Sequence, residues 1–149
     1  MDKQDRLTIA KSLKACEALV EKNLLTVGQP FEAEERSKNN EALADALSEF
    51  GEHVADVMYM AQTAKDSLEQ YFEQQKLQWM KTVDQDGKTH SATKAESIIL
   101  AQDKAYKEEL AKLRNLQKAE NVLKRKEKSL YSILDQSRSR LSLVNKDRA

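Results

Sequence analysis

The sequence predicts an all-α fold: a long antiparallel helical hairpin of coiled-coil type, with a shorter N-terminal helix. The 149 residues include only three glycines and one proline, and 34% of them are charged. So few turn-forming residues favour a small number of long elements. One apolar heptad pattern is also sustained for about four repeats. We therefore expect a single domain, 1–149, with a thin core that oligomerisation completes.

The first helix is predicted over residues 5–25, where an apolar stripe at helical spacing includes Cys16. Cys16 is the only cysteine, so an internal disulfide is excluded. Its position in the stripe favours a small buried core residue over a reactive thiol. Gly28 and Pro30 favour the end of the helix, so residues 26–40 are predicted to be a connector.

The second helix is predicted over residues 40–82 and carries the heptad pattern. Its apolar positions recur at spacings of four and three, which places them on one stripe that packs against other helices. Gly51 interrupts the stripe at a cost of about 1 kcal/mol, but the flanking apolar residues favour a continuous helix. The predicted helix-packing and oligomer-forming residues are Leu43, Leu47, Phe50, Val54, Val57, Ala61, Leu68 and Tyr71.

Residues 83–92 are predicted to be a loop that reverses the chain, because an Asp-Gly pair ending at Gly87 favours a turn. The third helix is predicted over residues 93–145. Thr93 and Glu96 have the spacing of a capping box directly before an apolar run. No glycine or proline follows, so we expect one uninterrupted helix that pairs antiparallel with the second.

The charge is distributed unevenly, although the formal net charge of the whole chain is zero. Residues 1–100 contain 12 Lys/Arg and 18 Asp/Glu, whereas residues 101–149 contain 13 Lys/Arg and 7 Asp/Glu. The C-terminal third is therefore basic and the preceding part is acidic. Such an asymmetry favours either electrostatic pairing between molecules or an anionic partner for the basic part.

The cations of the third helix follow a pattern that suits a polyphosphate. At 100° per residue, four of them form a stripe within about 40° of one another and nearly opposite the apolar face: Lys107, Arg114, Lys118 and Arg125. A second basic cluster lies near the C-terminus. The alternative is a solvated face whose cations pair with glutamates of the same helix, such as Glu108 and Glu120. The candidate nucleic-acid-binding residues are Lys104, Lys107, Arg114, Lys118, Arg125, Arg138 and Arg140.

The sequence contains no motif typical of an enzyme. Its two histidines, His53 and His90, have no cysteine or second histidine at metal-ligand spacing, so neither a metal nor another cofactor is expected. The aromatic residues Tyr71, Phe72 and Trp79 are expected near the tip of the hairpin. There they either close the end of the helix pair or stack on unpaired bases.

Several segments resemble the UvsY-type recombination mediators of tailed phages. The resemblance covers roughly residues 55–145 and rests on a long helix, a polar Asp-Gly loop and the helix start Ala95-Glu96-Ser97-Ile98. It also includes the run Lys128-Ser129-Leu130-Tyr131-Ser132-Ile133-Leu134 and the cluster Ser137-Arg138-Ser139-Arg140. The resemblance implies a small helical protein that forms oligomeric rings and binds single-stranded DNA. It also implies a role in loading a recombinase onto strands covered by single-strand-binding protein.

Two functional hypotheses follow for a protein expected not to be an enzyme. The first is an oligomeric single-stranded-DNA-binding recombination mediator, whose partners are DNA and a recombinase or single-strand-binding protein. The second is a coiled-coil interaction module, such as a scaffold, adaptor, chaperone or small phage inhibitor, without nucleic-acid binding. Neither needs a membrane or a small-molecule substrate. The lone cysteine and the polar N-terminus favour a cytoplasmic location, which is the bacterial host cytoplasm if the chain is of phage origin.

Overall fold

The computed structural model describes residues 1–25 and 32–147, and this part of the chain forms four helices. They are α1 (Lys3–Leu25), α2 (Glu32–Lys81), α3 (Ala92–Gln102) and α4 (Lys104–Asp147). The only β pairing within the described residues is an isolated bridge between Val83 and Thr89. The all-α class is therefore confirmed, whereas oligomerisation stays a prediction.

The second helix begins at Glu32 and not at residue 40, so residues 32–40 of the predicted connector are helical. The reason is long-range, because Asn40 is buried and its Oδ1 accepts two hydrogen bonds. Asn23 Nδ2 of α1 donates one at 3.1 Å, and Ser137 Oγ of α4 donates the other at 2.8 Å. The rest of the predicted connector, residues 26–31 with Gly28 and Pro30, lies outside the described residues.

The prediction of one uninterrupted third helix is wrong, because the helix is broken at Asp103. This residue has φ −76° and ψ 102°, so its backbone is extended between α3 and α4. Its N–H donates to the Ile99 carbonyl at 3.1 Å and closes α3, while its Oδ1 accepts from Tyr106 N at 2.9 Å and caps α4. Tyr71 Oη of α2 donates to its other carboxylate oxygen at 2.9 Å. Asp103 therefore takes part in both helix ends, with its backbone N–H at the end of α3 and its side chain at the start of α4.

The helix start predicted at Thr93 is also displaced. The N-cap is Ser91, whose Oγ accepts a hydrogen bond from Lys94 N at 3.2 Å. Glu96, the expected partner in the capping box, instead forms a 2.8 Å ion pair with Lys76 of α2. Glu96 therefore connects two helices and takes no part in the cap.

The loop between α2 and α3 is organised by Asp84. Its Oδ1 accepts hydrogen bonds from Lys88 N at 3.0 Å and from Asp86 N at 2.9 Å, and these lower the pKa of its carboxyl group. Gly87 has φ +76°, a conformation that glycine adopts without strain. The predicted chain reversal at the Asp-Gly pair is thus confirmed.

The chain forms two compact units, although the sequence predicts one domain. Unit 1 comprises Met1–Val57 and Glu120–Ala149, and unit 2 comprises Met58–Ala119. In unit 1, α1, α2 and α4 share one core, with Phe50 of α2, Cys16 of α1 and Leu134 of α4 fully buried. The predicted antiparallel pairing is confirmed here, because Asn40 contacts Ser137 while Gly51 lies beside Glu127.

Unit 2 contains the rest of α2, the loop, α3 and the first part of α4. Ala95 and Ile99 of α3 are fully buried, and Leu68 of α2 and Leu113 of α4 are nearly so. Its buried side chains are fewer and smaller than those of unit 1.

Candidate nucleic-acid interface

All seven candidate nucleic-acid-binding residues are exposed on α4. This agrees with the helical register, since Leu123 and Leu134 of the opposite face are buried. The two units divide the set. Lys104, Lys107, Arg114 and Lys118 belong to unit 2, and Arg125, Arg138 and Arg140 belong to unit 1.

Two of the seven cations have a partner among the residues that the structure describes. Lys104 lies 4.0 Å from Glu108, but both side chains are largely exposed, so this ion pair contributes little. Lys107 Nζ donates to the Ala101 carbonyl at 2.6 Å, near the C-terminus of α3. Its ammonium group therefore helps to stabilise that helix end.

The other five cations form no salt bridge with another described residue. The alternative of a self-neutralised helix face predicts that glutamates of α4 pair with them. Instead, Glu109 pairs with Lys112 at 2.8 Å and Glu120 pairs with Lys124 at 2.6 Å, both outside the predicted stripe. The hydrogen bond from Lys112 to Glu109 also raises the pKa of Lys112. The stripe residues Arg114, Lys118 and Arg125 are thus left to solvent or to an external anion.

A groove lies beside this stripe in unit 2, between α2 and α4. Its cavity volume is about 480 Å³. The floor is apolar, formed by Leu68, Phe72, Tyr106, Leu110 and Leu113, and Arg114 stands on the α4 side of the opening. The groove was not foreseen from the sequence, because the heptad pattern predicts which residues face a helix but not how closely the helices approach.

The three aromatic residues expected at the hairpin tip have three different environments. Phe72 packs against Tyr106 with ring centroids 5.5 Å apart at a 49° angle. Trp79 contacts His90 edge-on at 5.9 Å, so this histidine is partly covered by the indole. Tyr71 bonds to Asp103, and this hydrogen bond raises the pKa of its hydroxyl. Only Phe72 lines the groove, together with its partner ring.

The predicted packing residues are buried by the chain's own helices. Seven of the eight are at most 7% exposed, and Tyr71 is half-buried. The five from Leu43 to Val57 belong to the core of unit 1 together with residues of α1 and α4. Helix packing by this stripe is therefore confirmed. A role for the same side chains in contacts between subunits stays a prediction.

No cluster of three metal-ligating side chains occurs within residues 1–25 and 32–147. Cys16 is fully buried, as predicted, and burial raises the pKa of its thiol. None of the helices in the described part of the chain combines the length and the hydropathy that a membrane-spanning helix needs.

Comparisons with protein-family models, with curated proteins and with solved structures found no match for this chain.

Proposed function

We propose that this protein is a non-enzymatic accessory protein that binds single-stranded DNA through the cations of α4. The observation that carries the proposal is that Arg114 and Lys118 of unit 2, and Arg125 of unit 1, are exposed and form no salt bridge with another described residue. A helix face kept only for solubility gains from pairing its charges within the helix. Here the nearby glutamates pair with other lysines, which favours an external anion.

A nucleic-acid backbone fits this surface because its charges are regularly spaced. Each phosphate that a cation neutralises releases condensed counterions, so several modest contacts together give useful affinity. The role of a recombination mediator, which delivers a recombinase to single strands, is the finer part of the proposal. It is supported by the resemblance to the UvsY-type proteins and by the division between basic and acidic segments of the chain.

The test is a charge-reversal variant in which Arg114, Lys118 and Arg125 are each replaced by Glu. Binding to a fluorescently labelled 25-nucleotide oligo(dT) is measured by anisotropy across a series of salt concentrations. For single strands, the slope of log K against log salt is about −0.7 per phosphate contact, so losing three contacts should make the slope shallower by about 2. Affinity at low salt should fall by at least about 100-fold.

The matched control reverses three exposed lysines of α1, Lys11, Lys14 and Lys22, and so changes the net charge by the same amount. It should bind oligo(dT) far more tightly than the α4 variant. Equal losses in both variants would show that only net charge matters. No binding by the unmodified protein at physiological salt would refute the proposal.

The second candidate function is a protein-interaction module, and one observation favours it. Three apolar side chains of unit 2 are more than half exposed: Leu77 at 55%, Val83 at 57% and Leu100 at 54%. A protein partner or a second copy could cover them. Light scattering with and without oligo(dT) separates the two functions. An interaction module should form an oligomer or a protein complex, and its mass should not change when oligo(dT) is added.

A further inference from the structure

We propose that the groove between α2 and α4 in unit 2 accepts an unpaired nucleobase of the bound single strand. This inference rests on the proposed function, since it adds a base-binding site beside the phosphate-binding cations. The groove would allow the protein to distinguish a single strand from a duplex. In a duplex the bases are stacked and paired, so they cannot enter a groove on the protein.

The groove offers a flat, apolar surface of suitable size. Its volume of about 480 Å³ lies in the range of small-molecule sites, and Leu68 and Leu113 close its floor. Phe72 and Tyr106 line it with their rings, and both side chains are only partly buried. The two rings are tilted by 49° with centroids 5.5 Å apart, and a base can stack against the ring surface that stays exposed.

The two sides of the groove differ in charge, and the difference gives the bound strand an orientation. The α4 side carries Arg114, which forms no salt bridge with another described residue, next to Gln117. The α2 side carries two carboxylates, Glu69 and Glu73, and one cation, Lys65, which lies 4.0 Å from Glu69, so its formal net charge is −1. Phosphates are attracted to the arginine side and repelled by the carboxylates. The backbone should therefore follow α4 while the base points toward α2.

Arg114 connects the two parts of the site. It lines the groove and also belongs to the exposed stripe that includes Lys118. Tyr106 and Arg114 line the same groove, so a strand held at Arg114 through a phosphate can place one of its bases against the Tyr106 ring. The carboxylates of the α2 side can accept hydrogen bonds from exocyclic amino groups, as they do with cytosine in duplex DNA.

The experiment compares oligo(dT) with an abasic oligonucleotide of the same length, which keeps every phosphate and lacks every base. The unmodified protein should bind oligo(dT) about tenfold more tightly than the abasic strand. In the variant Tyr106→Leu, which keeps an apolar side chain but removes the ring, this preference should be largely lost. Binding of the abasic strand should stay within about twofold.

Two control variants make the test specific. Tyr106→Phe keeps the ring and should retain the preference for oligo(dT). Tyr131→Leu removes an aromatic side chain of α4 that is 41% exposed and lies in unit 1, outside the groove, so it too should retain the preference. Circular dichroism verifies that each variant is folded. The preference of the unmodified protein for oligo(dT) over the abasic strand is measured without any variant.

The two proposals fail in different ways. If the unmodified protein binds neither oligonucleotide, the proposed function itself is wrong. If it binds both equally well, phosphate binding stands and the base-binding groove is refuted. An equal loss of preference in Tyr106→Leu and Tyr131→Leu would also refute the groove, because it would show that base contacts are not located there.

Discussion

The α2 and α4 helices pair in both units, but the two units bury their apolar faces differently. In unit 1, α1 covers the pair, and side chains such as Phe50 and Leu134 are fully enclosed. In unit 2, the same two helices leave a groove in which Phe72 and Tyr106 stay partly exposed. A uniform heptad pattern therefore yields a closed core in one unit and an open binding surface in the other. What differs is the third element that each unit provides.

The largest change in unfolding free energy is expected when a phenylalanine ring is removed, and one such ring can be removed from each unit to test the contrast. Phe50→Ala should lower the free energy of unfolding by about 3–5 kcal/mol, because it removes a fully buried ring. Phe72→Ala should cost roughly 1–2 kcal/mol, since that ring is already partly exposed. Urea denaturation followed by circular dichroism measures both values. Equal losses would mean that the groove closes in solution.

An intermediate effect is expected at the break between α3 and α4 in unit 2. Asp103→Ala removes the carboxylate that caps α4 and should cost about 1–2 kcal/mol of unfolding free energy. Asp103→Asn keeps the capping oxygen and should recover most of this loss. If Asp103→Ala is as stable as the unmodified protein, the cap does not stabilise the helix break.

The hydrogen bond between Tyr71 and Asp103 also makes the stability of the folded protein depend on pH. The hydrogen bond to the Asp103 carboxylate raises the pKa of Tyr71 in the folded protein. Its contribution to stability is therefore complete below the pKa of an unfolded tyrosine, near pH 10, and is lost as the pH rises through the raised value. Tyr71→Phe should remove this alkaline loss. If the unfolding free energy of Tyr71→Phe falls at alkaline pH as it does in the unmodified protein, Tyr71 is not the group that causes the loss.

The smallest expected effect is a gain in stability in unit 1. Gly51 lies within α2, and a methyl group there would meet Glu127 Oε2 at 3.4 Å, an ordinary contact with a flexible side chain. Gly51→Ala should therefore raise the unfolding free energy by about 0.5–1 kcal/mol, because alanine loses less backbone entropy in a helix. A decrease would show that α4 approaches α2 too closely for a methyl group.

The contrast between units also explains what the sequence could predict. Burial of Leu43, Phe50 and Leu68 follows from local periodicity, since a helix that repeats apolar residues every three or four positions must cover them. Exposure of the α4 cations follows from the same register. These features depend only on residues close together in the chain, so one sequence suffices.

The features that the sequence did not predict depend on distant partners. The helix breaks at Asp103 because Tyr71, 32 residues away, bonds to its carboxylate. Residues 32–40 are helical partly because Ser137, 97 residues from Asn40, donates a hydrogen bond to the buried side-chain oxygen of Asn40. The groove requires a particular distance between α2 and α4. None of these can be inferred from periodicity or capping patterns alone.

The buried polar contact at Asn40 has a consequence for how the three helices of unit 1 find one alignment. Apolar stripes tolerate sliding, because a shift by one turn, about 5.4 Å, brings another leucine or valine into place. A shift of α1 would instead remove the Asn23 donor from the side-chain oxygen of Asn40, and a shift of α4 would remove the Ser137 donor, so either shift breaks a buried hydrogen bond. This small polar cluster therefore selects a single register for helices whose apolar faces alone would accept several.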